Sequence, residues 1–81
     1  MQVRVLAFAR LRELLGFGIR DVELPDDATI DVLWDNLARE TRGLDGLRGS
    51  TRFARNGALA ASAAALHDGD EVALMPPVGG G

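Results

Sequence analysis

The residues with the clearest chemical promise are the last six of the sequence, Pro76-Pro77-Val78 followed by Gly79-Gly80-Gly81. Glycine has no Cβ, so this stretch is a thin backbone arm that can adopt conformations closed to other residues and enter a channel too narrow for side chains. Pro76 and Pro77 stiffen its base, because proline fixes φ and reduces the freedom lost on insertion. Fully stretched, Val78 to Gly81 would reach on the order of 13 Å beyond a folded body. Read as a free terminus, the arm ends in a carboxylate that is itself the candidate reactive centre. With an ordinary pKa of about 3.3–3.7 it is ionised at neutral pH, so a receiving pocket should hold Lys or Arg.

Other side chains offer less. The absence of cysteine excludes a disulfide framework, a thiolate metal site and a cysteine nucleophile. The single histidine, His67, cannot build a histidine metal site alone and reads as part of a solvated turn. Asp68, Asp70 and Glu71 lack the ligand spacing of a calcium loop and read as turn chemistry. All nine basic residues are arginine, so no side-chain amine exists to receive an isopeptide bond from another copy. Arg10 and Arg12 could help dock an acidic surface or simply be solvated.

A chain of 81 residues makes one small domain with a thin core and buries only about 60–65% of its unfolded surface. The net charge of −3 argues against nucleic acid as a ligand. No apolar run approaches a bilayer span, and Met1 to Leu6 lacks the pattern of a signal peptide. The expectation is a soluble cytoplasmic protein that engages no membrane.

The elements that must position the arm follow from periodicity. Residues 2–8 alternate as a strand, with Val3, Val5 and Ala7 on one face and Arg4, Leu6 and Phe8 on the other. A helical turn over 10–15 shares Leu11, Leu14 and Leu15 on one side, and Gly16 supplies its left-handed stop. Residues 19–24 predict a second strand. Thr29 is a good N-cap for a helix whose stripe is Ile30, Leu33, Trp34 and Leu37, ended by Gly43. Residues 44–50 read as a loop or short turn pinned by Leu44 and Leu47. Asn56-Gly57 predicts a hairpin between 52–55 and 58–60. The alanine-rich 60–65 stretch has helical propensity, but its place after a hairpin favours a loop returning to the sheet. Residues 71–75 form the last strand, stopped by two prolines.

One amphipathic helix must bury its stripe on one face of a sheet. The compact solution is an α+β fold of the β-grasp, or ubiquitin-like, kind: a mixed sheet on one main helix, with the first and last strands central and parallel. The β-grasp domain is expected over 1–78 and the flexible glycine tail over 79–81. Outward Arg4 and Glu71 then place Leu6, Phe8, Ala73 and Met75 on the face away from the helix. Leu59 on an adjacent strand would extend them. A contiguous apolar patch there marks a docking surface, unless segment 60–66 covers it.

Phe8-Ala9-Arg10-Leu11-Arg12-Glu13-Leu14, Leu66-His67-Asp68-Gly69-Asp70-Glu71-Val72-Ala73, Pro76-Pro77-Val78 and the closing glycines together resemble the small, sulfur-carrier subunits of molybdopterin synthases. The resemblance spans the whole chain in length and element order. It implies that Gly81 becomes an acyl-adenylate and then a thiocarboxylate, and that Gly80 lets the arm thread into an active site, with Gly79 lengthening the tip. It implies that Phe8, Leu59 and Met75 pack on a large catalytic subunit and on an E1-like adenylyltransferase. A separate protein would donate the sulfur. ATP and Mg²⁺ would belong to the activating enzyme, with no cofactor bound by this chain, which would be a carrier for catalysis in the large subunit. The chain departs from the family at Gly79, where another small residue is common, and at Met75, where an aromatic is common. A sulfur carrier for thiamine or cysteine biosynthesis, a ubiquitin-like protein modifier and a non-catalytic adaptor are the competing readings.

Overall fold

The computed structural model describes residues 1–77, so Val78 and the expected tail at Gly79, Gly80 and Gly81 lie outside the described residues. The elements in chain order are β1 (Gln2–Ala7), α1 (Ala9–Leu15), β2 (Ile19–Glu23), α2 (Ile30–Glu40), a 3₁₀ helix (Leu44–Ser50), β3 (Arg52–Arg55), β4 (Ala58–Ala60) and β5 (Glu71–Met75). They form one five-stranded sheet in the order β2-β1-β5-β3-β4. β1 and β5 are central and parallel, and every other pair is antiparallel. This is the β-grasp arrangement that the sequence predicts.

α2 forms where capping and stripe agree. Thr29 is extended, and its Oγ1 accepts from the Val32 N–H at 3.3 Å. Ile30, Leu33, Trp34 and Leu37 are buried against Val3, Val5, Val72 and Leu74 of the sheet. The Trp34 ring meets Phe53 edge-on at 5.9 Å, and its indole N–H donates to Asp45 at 3.2 Å, so its one polar group is not lost to burial. The helix stops earlier than expected. Thr41 turns extended after Glu40, and Gly43, left-handed at φ 89°, begins the 3₁₀ helix rather than ending α2. That 3₁₀ helix replaces the expected loop and buries Leu44.

In α1, Leu11 is buried and Leu15 partly so, but Leu14 is 38% exposed. The helix has seven residues and leans on the core through little more than Leu11, so Leu14 does not join the expected shared face. Gly16 ends it as predicted, left-handed at φ 82° with its N–H on the Arg12 carbonyl at 3.0 Å.

The alanine-rich stretch is a returning loop. The Ser62 and Ala64 carbonyls accept from the N–H groups of Asp31 (2.8 Å) and Ile30 (3.1 Å). Those are first-turn donors of α2 without partners inside the helix. A helix over 60–65 would aim these carbonyls along its own axis instead of at the start of α2, so tertiary demand overrides alanine's propensity. Among the described residues no helix is long and apolar enough to cross a membrane.

Candidate functional site

Parallel pairing of β1 with β5 aligns their side chains in rows. On the α2 side Val5 stands beside Val72 and Ala7 beside Leu74. On the outer side Arg4 stands beside Glu71 and Leu6 beside Ala73. Phe8 follows β1 as the extended cap of α1, and its N–H donates to the Leu74 carbonyl at 3.2 Å. The ladder therefore runs one residue past the strand and keeps Phe8 on the outer face, at the Met75 end. Phe8 is 46% exposed and Met75 partly so. The structure thus brings these two together as the alternation predicts.

Leu59 is also on the outer face and is 70% exposed, but it is farther away than the sequence places it. β4 is an edge strand, and β3 lies between it and β5. Leu59 pairs with Ala54, which pairs with Ala73, which pairs with Leu6, which pairs with Ile19. An apolar row therefore crosses all five strands. Segment 60–66 does not cover it, since it turns toward the start of α2. Ile19, 58% exposed, is the member that sequence reasoning missed. The signal was available: Val22 faces the core, so alternation sends Ile19, Asp21 and Glu23 outward together.

The chain leaves this face at the end of β5. Pro76 and Pro77, with Arg10, Leu47 and Thr51, line a cleft of about 210 Å³. Arg52 pairs in register with Met75 on the other flank of the exit. At the opposite end of the face Arg4 forms an ion pair with Asp21 at 3.2 Å, next to Glu71. The acceptor chemistry expected of the arm rests on Gly79, Gly80 and Gly81, outside the described residues.

The remaining polar cluster is structural. The Asn56 amide donates to Asp70 at 2.9 Å and accepts from the Glu71 N–H at 2.9 Å, while the His67 N–H donates to Asp70 at 2.8 Å. The Asn56 hydrogen bond, the His67 N–H and the nearby His67 and Arg55 charges hold the Asp70 carboxyl below the ordinary carboxylate range, against a smaller opposing effect of burial. These bonds tie the hairpin turn to the start of β5. The His67 ring is largely exposed, with Nδ1 3.9 Å from Asp70, and has no geometry for proton transfer. Among the described residues no group of three or more His, Cys, Asp or Glu side chains gathers to hold a metal.

The ThiS family matches residues 5–81. A molybdopterin synthase sulfur carrier subunit of Chlamydomonas reinhardtii is 37% identical, with 100% of each chain covered. Small archaeal modifier protein 1 of Haloferax volcanii is 42% identical over 91% of this chain and 94% of its own. Among solved structures, subunits 1 and 2 of the molybdopterin-converting factor of Helicobacter pylori form a protein–protein complex that contains a similar chain. That chain superposes with a TM-score of 0.70 at 28% identity, covering 100% of both. With its β-grasp sheet, its outer apolar row and these full-length matches, the chain belongs to the ThiS family, to which it is joined as a relative of the molybdopterin synthase sulfur carrier subunits.

Proposed function

We propose that this chain is the sulfur carrier of a molybdopterin synthase. The carboxylate of Gly81 is a poor electrophile, because its charge repels nucleophiles and its oxide is a poor leaving group. An E1-like adenylyltransferase transfers AMP from ATP, with Mg²⁺, to give a mixed anhydride and release pyrophosphate. Sulfide (HS⁻) delivered by a separate donor protein then attacks the carbonyl carbon; the new C–S bond forms as the C–O bond to AMP breaks, leaving a C-terminal thiocarboxylate and free AMP. Gly79 and Gly80 carry that sulfur into the large subunit, where it reacts with the pterin precursor. Phe8, Met75 and Leu59 hold the carrier on its partner while the tail is inserted.

The observation that carries this reading is that the chain leaves the central strand β5 through Pro76-Pro77 at the edge of an exposed apolar face. One docked partner could then cover the patch and receive the residues beyond. The Helicobacter pylori complex supports a large-subunit partner of this kind. Deleting Gly81 is expected to abolish sulfur loading and molybdopterin formation while leaving fold and partner binding intact. Intact-mass analysis of the chain after incubation with its activating enzyme, ATP and a sulfur donor reads this directly. The full chain gains the mass difference between sulfur and oxygen, and the truncated chain does not. Molybdopterin formed by the truncated chain would refute the proposal.

The 42% identity to a small archaeal modifier protein supports a second reading, attachment of Gly81 to lysines of other proteins. Mass spectrometry of pulled-down proteins separates the two. Isopeptide remnants on partners favour the modifier, and a thiocarboxylate without such remnants favours the carrier. Carriage of sulfur for thiamine or cysteine biosynthesis would leave loading intact and shift the acceptor, which reconstitution with the large subunit decides.

A further inference from the structure

Charge is unevenly placed around the apolar row. β5 is flanked by β1 and β3, and each flank contributes one arginine at the tail end. Arg10 follows Phe8 in the first turn of α1 and lines the cleft with Pro76 and Pro77. Arg52 is the register partner of Met75. Both are exposed, and among the described residues neither joins an ion pair. Neighbouring arginines are already engaged. Arg48 pairs with Asp31 and lies over the Trp34 ring at 5.9 Å. The Arg12 side chain packs so closely on Gly18 that a Cβ there would lie 3.2 Å from the guanidinium. Asp21, Glu23 and Glu71 occupy the far end of the face; Arg4 pairs with Asp21 and the N-terminal ammonium lies 3.7 Å from Glu23, while Glu71 joins no ion pair among the described residues. The row therefore runs between a cationic lip at the tail exit and an acidic lip opposite, on a chain whose net charge is −3.

Covering the row would remove water from both lips. Desolvating an unpaired guanidinium is strongly unfavourable unless an anion meets it. Two isolated cations on an otherwise acidic face fit a pair of carboxylates better than a phosphate backbone, which is held by many clustered cations. We propose that the protein covering this face, the large subunit of the preceding reading, presents carboxylates to Arg10 and Arg52 at the rim of the channel that takes the tail. The acidic lip at the far end repels the same carboxylates, so only one orientation brings the tail to the channel. Pairs of this kind act chiefly on orientation and encounter rate, while the apolar row supplies most of the affinity.

The test is association of the full chain with the large subunit encoded in the same genome, measured at low and raised ionic strength. The double variant Arg10→Glu with Arg52→Glu is expected to weaken binding about tenfold or more, mainly through a slower association rate, and to flatten its salt dependence. Arg42→Glu, in the turn beyond α2, is expected to bind like the wild type, and circular dichroism checks that all variants fold. If Phe8→Arg abolishes binding while the double variant keeps wild-type affinity and salt dependence, the rim is overturned and the docking reading stands. If Phe8→Arg also binds normally, the docking reading fails and the rim fails with it. If the effect of the double variant disappears once Gly79–Gly81 are deleted, the arginines serve the chain's own terminal carboxylate, which overturns a partner role.

Discussion

The backbone N–H of Phe8 donates to the Leu74 carbonyl at 3.2 Å, one residue beyond the end of β1. The bond holds the Phe8 backbone against β5 on the outer face, at the Met75 end where the chain leaves the sheet. Together Phe8 and Met75 make the centre of the proposed contact, with Leu59 and Ile19 toward opposite edges of the sheet. Central apolar anchors dominate binding, and rim positions contribute little. Phe8→Arg or Met75→Arg is therefore expected to cost about 2 kcal/mol or more of partner affinity, enough to break the heterocomplex on gel filtration. Leu59→Arg should weaken it less, and Ile19→Arg least. Association unchanged by either central substitution would remove the patch from the mechanism.

Much of this face was legible because strand alternation needs only one fixed point per strand. Arg4 and Glu71 supply it for β1 and β5, and Val22 supplies it for β2. The distance to Leu59 was not legible. A hairpin signal at Asn56-Gly57 pairs β3 with β4 but does not say which of them lies against β5. That choice belongs to tertiary packing: Phe53 reaches the core beside Leu74 and Trp34, whereas β4 has only alanines and Leu59 to offer. The loop at 60–65 was decided by the unsatisfied N–H groups of α2, information that lies outside the segment itself. The glycine arm is the reverse case: residue type and the family resemblance raise an expectation for its chemistry, and its residues lie outside the described ones.

Asp70 links the hairpin turn to β5 through Asn56 and the His67 N–H, and its pKa is lowered from 3.8 by those contacts. A carboxyl with a lower pKa in the folded state than in the unfolded one stabilises the fold in its charged form. That stabilisation is present in full above the unfolded value and disappears as pH falls through the lowered folded value. Asp70→Asn should therefore destabilise the protein near neutral pH and make its stability less dependent on pH below about 4. Urea midpoints measured from neutral pH to about pH 2.5 for both proteins check this. Parallel acid limbs in the two curves would show that the latch does not titrate.

Ala9, exposed and left-handed at φ 51°, lies between Phe8 and Arg10 at the base of the patch; unlike Asp27 and Asn56, which also have positive φ, it has no polar side chain to favour that conformation. The chain passes from β1 into α1 with only the Phe8 cap between them. One residue thus absorbs a turn that would otherwise need a longer connector, and Phe8 stays against β5. The left-handed conformation costs a residue with a Cβ about 1–2 kcal/mol. Glycine avoids that cost but returns roughly 0.5–1 kcal/mol through the greater freedom of the unfolded chain. Ala9→Gly should therefore stabilise the fold by about 0.5 kcal/mol, a rise in Tm of roughly 2–4 °C for a domain of this size. Ala9→Val, with a β-branched side chain at the same φ, should lower stability by more than about 1 kcal/mol. Thermal unfolding of the three proteins decides the matter, and a glycine variant less stable than the wild type would show that the turn holds no strain.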